Sequence, residues 1–497
     1  MAKQGLLGQA KPAATTNTLL YAAPIDSSAS TVLSVAASGG ADSYDLAIKD
    51  YDQRLQLDAS TYKLHEGDVI TGYRFNLASS ISTTASLNPG TTLTSDDGEK
   101  TAIFESYYLP DFTTINVKAL GIRILTISAS GTFSVGDTIT KGTSPDVTTA
   151  TVYSVSTGSG TTTLYIGPSS VGGANALPAD EFTDSDAITA TSGGTGTVQV
   201  GGVGTSENYF VFSENAGVTY SLYLSETLSL FTDRVYRFDV SDSTMTGRDF
   251  KLSTTVNGEW GSDGIVGTSD DGAEYTTGKT TNGTAGSANA YVQYDLGANA
   301  SLGGSLYYYD GGTGTASNAD YGGSTRILTT STAYEYDSIY VYDVDGTWVS
   351  ATDSFTHNGT SYGVNTQTTG AYGYVKDLTA DVLKVIKGKN SADFTTSSVF
   401  QDAPLDTDAQ RAAIAVSAVQ LATTAVDAEM YLKKDNAISD VTTEETKSLV
   451  VGPGQRLIVE SNGGLCAFNL IGFEDASSAF TARTYSTSVA GASGSGG

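Results

Sequence analysis

In Ser338-Ile-Tyr-Val-Tyr-Asp343 the side-chain character repeats every two residues. That is the period at which a β-strand sends successive side chains to opposite faces. The same period runs through Tyr44-Asp-Leu-Ala-Ile48 and Val218-Thr-Tyr-Ser-Leu-Tyr-Leu224. Clusters of Gly, Asn, Asp and Ser separate such runs at short intervals, as in an all-β chain. Thr, Val and Tyr suit a pleated, half-buried surface. The best helix candidate, Thr407 to Met430, is rich in Ala. Yet Ile414 and Val416 stand two apart, as do Val419 and Leu421, and Thr423, Thr424 and Val426 weaken a helix. The segment is read as strand.

Composition narrows the function. The 497 residues carry 54 Asp plus Glu against 26 Lys plus Arg, a net charge of −28. So acidic a chain repels phosphate backbones, which argues against nucleic acid as a partner. A single cysteine, Cys466, excludes a disulfide framework and any multi-cysteine zinc site. The two histidines, His65 and His357, lie far apart, which disfavours multi-His metal sites and most triad chemistry. No run approaches about 18 apolar residues, so no membrane insertion is expected. The opening lysines precede no long apolar core, so a secretory signal is not expected either. The length predicts three or more domains.

Two internal repeats stand out. Ala23-Pro-Ile-Asp-Ser-Ser-Ala29 matches Ala403-Pro-Leu-Asp-Thr-Asp-Ala409, and Asp45-Leu-Ala-Ile-Lys49 matches Glu429-Met-Tyr-Leu-Lys433. Leu64-His-Glu-Gly-Asp-Val-Ile70 parallels Val451-Gly-Pro-Gly-Gln-Arg-Leu457. Three matches in order point to a duplicated sandwich at the two ends of the chain. A smaller repeat pairs Thr132-Phe-Ser-Val-Gly-Asp-Thr-Ile139 with Glu181-Phe-Thr-Asp-Ser-Asp-Ala-Ile188. Each copy is followed by a Thr/Gly-rich segment and a strand, which predicts a small barrel or hairpin module.

The bracketing segments resemble small β-sandwich domains of tailed-phage virion proteins. The resemblance lies in Thr18-Leu-Leu-Tyr-Ala-Ala-Pro-Ile25, Leu449-Val-Val-Gly-Pro-Gly-Gln-Arg-Leu-Ile458 and Phe468-Asn-Leu-Ile-Gly-Phe473. The layout resembles structural proteins of marine contractile-tailed phages, especially those of cyanobacteria. It implies a part of a virion without saying which part.

Residues 205–326 resemble a cupredoxin-like module through Tyr236-Arg-Phe-Asp239, Lys251-Leu-Ser-Thr-Thr255, Glu274-Tyr-Thr-Thr-Gly278, Thr281-Asn-Gly-Thr-Ala-Gly286 and Leu306-Tyr-Tyr-Tyr309. That family often carries a His, Cys, His, Met copper set. Here the first His position is Arg248 and the Cys position is Asp310, and the last two fall near Thr313 and Ala316. A blue-copper centre needs a thiolate and imidazoles. The resemblance therefore implies a scaffold without its metal, and no cofactor is expected.

The expected fold is an all-β, multidomain chain of β-sandwich modules. Residues 1–118 form an N-terminal β-sandwich with an arm, and 119–204 a small β-barrel or hairpin module. Residues 205–326 form the cupredoxin-like sandwich and 327–398 a small β module. Residues 399–497 form a C-terminal sandwich, related to the first by duplication, with a flexible Gly/Ser tail.

Other candidate sites have plain readings. Ser95-Asp-Asp-Gly-Glu99, Gly261-Ser-Asp-Gly-Ile265, Ser269-Asp-Asp-Gly272 and Asp343-Val-Asp-Gly346 are read as Asp-Gly turns, with calcium as the alternative. Carboxylate pairs for glycoside chemistry are guaranteed by number alone, and nothing marks one. Tyr307 to Tyr309 and Tyr334, Tyr336, Tyr340 and Tyr342 are read as strand packing or subunit contact, with a glycan platform as the alternative. No catalytic, cofactor or metal residues are assigned. The chain is expected to be a non-enzymatic structural part of a tailed-phage virion, made in the host cytoplasm and placed at the tail or baseplate periphery. Its expected partners are other virion proteins and copies of itself in a homo-oligomer. Head or neck decoration and a fibre that binds host surface glycan are the alternatives.

Overall fold

The computed structural model describes residues 3–62, 64–143, 146–171, 181–223, 228–298, 302, 304–312, 326–330, 332–349, 352–401 and 413–482. The protein is all-β. Among the described residues the only helices are single 3-10 turns such as Thr83–Ala85 and Gly258–Trp260. The chain divides into two compact units. One uses residues up to Leu109 and from Glu335 onward; the other is the inserted stretch Pro110–Tyr334.

The two ends of the chain build one sandwich together rather than one each. Its first sheet runs in the order Gln4–Ala10, Cys466–Ala476, Ser27–Ala37, Thr443–Val451. Its second runs Thr18–Ala22, Arg456–Ser461, Asp42–Lys49, Tyr431–Ile438. The segments read as repeat copies pair with each other: Ala47 lies opposite Tyr431 and Leu46 opposite Lys433. Residues 403–409 of the first match lie outside the described residues. Leu33, Val35, Tyr44, Leu46, Val459 and Phe468 fill the space between the sheets. Strand pairing runs through backbone hydrogen bonds, which any sequence supplies, so copies of a motif fix a strand's shape and not its neighbour.

The 327–398 stretch likewise shares its sheets with residues 53–107. One six-stranded sheet runs Ser354–His357, Thr360–Thr368, Arg74–Ser82, Glu335–Asp345, Thr101–Tyr107, Thr92–Thr94. It curls until a bridge between Ser95 and Phe355 links its two ends. The other runs Val399–Gln401, Ala413–Leu421, Gln53–Leu57, Val382–Lys387, Tyr372–Thr379, Val69–Thr71. It wraps around Leu55, Val385, Phe394, Phe400 and Ile414.

In the inserted unit, two long strands serve two bodies. Thr113–Ser130 and Thr195–Ser213 pair along most of their length. Their barrel ends join Thr138–Thr143, Asp146–Gly158, Thr161–Ile166 and Ala187–Ala190, and the Thr113–Ser130 to Thr161–Ile166 pairing closes a six-stranded barrel. Leu125, Ile139, Val152, Leu164, Phe182 and Ile188 fill it. The other ends belong to a sandwich. There Thr113–Ser130 runs parallel to Val235–Asp239, followed by Tyr291–Asp295 and Lys279–Asn282. The facing sheet is Ser229–Phe231, Arg326–Thr330, Gly304–Asp310, Phe250–Ser253. The expected boundaries at 118/119 and 204/205 thus fall inside continuous strands. Gly202 marks where one strand passes its neighbour closely, since a Cβ there would lie 2.5 Å from the Thr126 carbonyl oxygen. Of Val218–Leu224, which alternates like a strand, Leu224 lies outside the described residues; the described part makes one bridge, from Ser221 to Phe212, across the turn at Ala216 and Gly217.

One turn recurs four times and underlies the smaller repeat and the third match of the larger one. Asp68, Asp137, Asp186 and Gln455 each accept, through a side-chain oxygen, the backbone N–H three residues earlier, at 2.6–2.7 Å. The residue before each has positive φ: Gly67, Gly136, Ser185 and Gly454. Glycine holds that conformation at little steric cost. Two residues after each acceptor comes a core side chain: Ile70, Ile139, Ile188 or Leu457.

Arg456, just after the fourth turn, is 5% exposed and faces Asp52, which is 1% exposed. Nε and Nη2 donate to the two carboxylate oxygens at 2.7 and 2.6 Å. Nη1 donates to the carbonyls of Ala23 and Gly454, and Asp52 also accepts the Lys387 N–H. Removing one member of a buried pair strands the other's charge, at about 3–5 kcal/mol. Arg456→Ala is therefore expected to lower the stability of the first unit by that amount, and Asp52→Ala added to it to restore part of the loss. Urea unfolding followed by Trp348 fluorescence, in a Trp260→Phe background, measures both.

Candidate functional site

The positions matched to copper ligands hold an ion pair. Antiparallel pairing sets Phe250 opposite Asp310, which brings Arg248 Nη1 within 3.2 Å of Asp310 Oδ2. Asp310 Oδ1 accepts the N–H groups of Asp249 and Gly312, at 2.8 and 3.0 Å. A carboxylate saturated by donors, beside a guanidinium, does not fit copper, which asks for thiolate and imidazole. Thr313 and Ala316 lie outside the described residues. Cys466, His65 and His357 all belong to the other unit. Cys466 is fully buried, and burial pushes its thiol up to about 11. Its neighbour Asp42 is burdened by burial too. Hydrogen bonds from the Ser461 hydroxyl and the N–H groups of Leu465, Ser43 and Gly463 outweigh that and hold its carboxyl well below the usual range. His65 sits at the first turn, 3.6 Å from Asp68, and His357 Nε2 lies 2.9 Å from the Ala85 carbonyl.

The Asp-rich loops use their carboxylates on their own backbone or on neighbouring hydroxyls. Asp97 accepts from Glu99 N–H, and Asp96 from the hydroxyls of Thr356 and Ser361. Asp343 accepts the Tyr372 hydroxyl. Two loops that are separate in sequence meet: Asp263, Asp270 and Asp271 bring carboxylate oxygens within 4.8 Å of one another. Asp270 Oδ2 takes the N–H of Ser262 and Asp263, and Asp271 Oδ2 that of Thr268. Thr268 Oγ1 bridges the two acids. The geometry is that of a turn closed by its own acids, with the oxygen chemistry a hard cation prefers.

Buried carboxylates are paired with donors. Asp353 faces Lys100 at 2.6 Å, and Glu474 accepts the Tyr21 hydroxyl at 2.6 Å. These are ion pairs and hydrogen bonds that hold strands together, not an acid and a base facing a cleft. Five of the seven tyrosines pack inward: Tyr336 stacks on Tyr107 with ring centroids 4.5 Å apart, Tyr308 and Tyr309 are fully buried, and Tyr340 and Tyr342 are buried too, whereas Tyr307 and Tyr334 are half-buried. A groove of about 380 Å³ lies between Tyr73, Thr368, Asp393 and Ser397, floored by the core rings of Phe394 and Phe400.

One surface departs from the rest. On the outer face of the first terminal sheet, Leu6, Ile471 and Val32 stand in one cross-strand row. Phe473 and Val450 flank Ser30 in the next. Leu6, Val450, Ile471 and Phe473 are each more than half exposed. Gln4 and Ser30 complete the rows, which carry no charge. This face was missed in the sequence because its members come from four strands spread over the whole chain. A signal was present: Leu6-Leu7, Val32-Leu33, Leu449-Val-Val451 and Leu470-Ile471 each put apolar residues next to one another, one more than a one-sided strand needs.

No protein-family model matches the chain, and no curated protein or solved structure is significantly similar to it. Among the described residues no helix is long and apolar enough to cross a membrane.

Because the acids of the 261–272 loop are taken up by backbone donors, millimolar calcium is expected to leave the melting temperature of the full chain unchanged. A rise abolished by Asp270→Ala would instead assign a calcium site. A second expectation concerns alkali. Burial raises Tyr107, Tyr236 and Tyr342 to about 12, against about 10 unfolded. The native state keeps these protons where the unfolded chain loses them. The stability they carry is complete below about pH 10 and is lost as pH rises through about 12. Lys49 works oppositely, since burial lowers it to about 8 and adds stability between there and about pH 10.4. Denaturant midpoints measured from pH 7 to 12 should rise slightly and then fall, with the buried tyrosines' share of the tyrosinate absorbance appearing together with unfolding.

Proposed function

We propose that this chain is a non-enzymatic structural component of a tailed-phage virion, at the tail or baseplate periphery, working through contacts with its own copies and with neighbouring virion proteins. The observation that carries this reading is the uncharged apolar face formed by Leu6, Val32, Val450, Ile471 and Phe473. Contiguous exposed apolar surface marks an interaction site, and here it sits on a rigid sheet. The buried carboxylates described above, each satisfied by a donor, favour scaffold over catalyst. The resemblance of the bracketing segments to phage sandwich domains supplies the particle. The negative charge keeps free subunits apart until docking faces meet.

Cross-linking mass spectrometry on intact virions tests the placement. Links from this chain to sheath or baseplate proteins are expected. Links confined to capsid protein would move it to the head, and recovery of the folded chain outside any particle would remove the reading.

A further inference from the structure

We propose that the groove lined by Tyr73, Thr368, Thr369, Asp393, Ser397 and Val399 binds a neutral saccharide. The inference goes beyond the structural role proposed above and does not depend on it. At about 380 Å³ the groove falls at the lower end of the range of small-molecule sites, about 300–1,000 Å³.

Its walls are set before any ligand arrives. The side-chain amide of Gln53, which is 1% exposed, donates to the Phe394 carbonyl at 3.0 Å and accepts the Phe394 N–H at 2.8 Å. The Thr395 N–H donates to Ser398 Oγ, and the Ser398 N–H to the Thr395 carbonyl, both at 2.9 Å. At Gly72 and Gly370 two backbones touch, since a Cβ on Gly370 would lie 2.8 Å from the Gly72 carbonyl carbon. A site fixed in this way loses little freedom on binding.

The groups left over set the ligand class. Asp393 Oδ1 accepts from Lys387 Nζ and from the Thr423 hydroxyl. Its Oδ2 has no hydrogen-bond partner among the described residues, nor do the hydroxyls of Tyr73, Thr368 and Thr369. The groove thus offers one charged acceptor and three hydroxyls, each able to donate and accept. Beside them stand the Tyr73 ring and Val399, which is 49% exposed. A sugar ring presents the matching surface, with hydroxyls around its edge and C–H groups on its faces. A sugar hydroxyl donating to Asp393 makes a charge-assisted hydrogen bond. A phosphate or sulfate would meet that carboxylate on a chain of net charge −28. A cation would find Asp393 already paired with Lys387. A wholly apolar ligand would cover the free oxygen without giving it a donor.

Saturation-transfer NMR and calorimetric titration on the full chain test this. The probes are methyl glycosides of neutral hexoses and short neutral oligosaccharides. At least one is expected to bind with a Kd of about 1 mM or tighter. Binding of the glycosides identifies a single sugar or chain end as the source, and binding of the oligosaccharides alone an internal stretch of glycan. Asp393→Asn keeps the shape, removes the charge and is expected to weaken binding by at least about tenfold. Asp377→Asn is the control, because Asp377 is similarly exposed and also beside a lysine, Lys384, but lies outside the groove. It should leave binding unchanged. Tyr73→Ala should weaken binding by a similar factor, and Tyr73→Phe should retain most of it. Thr369→Trp fills the groove from an exposed position and should abolish binding without touching the core. Equal melting temperatures for these variants exclude misfolding.

The proposal is overturned if neither probe set binds at concentrations well above millimolar, or if Asp393→Asn and Thr369→Trp leave binding unchanged. Tighter binding of sulfated or amino sugars than of neutral ones overturns it as well. The virion reading fails separately, by the cross-links and the particle recovery described above.

Discussion

The first unit turns on the guanidinium of Arg456 and the carboxylate of Asp52, sealed from water and joined by two hydrogen bonds. Arg456 belongs to a strand of the terminal sandwich, while Asp52 precedes the Gln53–Leu57 strand of the second six-stranded sheet. The carbonyls of Ala23 and Gly454 and the N–H of Lys387 complete the cluster. Nearby, the buried ammonium of Lys49 donates to the carbonyls of Ala422 and Ala425. Desolvating such charges consumes much of what their attraction returns, so their value lies less in net stability than in excluding other arrangements. Each donor here has one geometry that satisfies it. The sandwich and the sheet that contains Gln53–Leu57 are thereby joined at one buried cluster.

The surface carries a second constraint. With about twice as many acids as bases, the protein repels itself at long range. Its buried acids are neutralised locally, Asp353 by Lys100 and Asp310 by Arg248. The loop acids are spent on backbone N–H groups. The distributed charge sets how readily two bodies approach.

The strands were legible in the sequence and their partners were not. Period-two alternation gave Tyr44–Ile48 and Ser338–Asp343 as strands, and both are. Over Val218–Tyr223, the described part of Val218–Leu224, the pattern yields a single bridge, Ser221 to Phe212, in place of a full strand. The repeats are plain in the sequence; what they build is not. The four related turns share one hydrogen bond and one positive φ, a local geometry that sequence records well. Whether two copies form two sandwiches or interleave in one depends on pairings such as Ala47 with Tyr431, which leave no trace in either segment. The apolar face was hidden for the same reason: Ile471 reads as core until the register sets it beside Leu6 on the outside.

The pairing of the first strand with the last also has a consequence for synthesis. Gln9 and Asn469 share a hydrogen bond across 460 residues of chain. At about 5–20 residues per second, a ribosome delivers the second roughly 20–90 s after the first. The inserted barrel and its sandwich contain all their own strands and can fold during that interval. The opening strands must wait, unpaired, for the closing ones. A nascent chain is thus most exposed to strand exchange with a neighbour on the same messenger at the place where the finished molecule is most thoroughly knit.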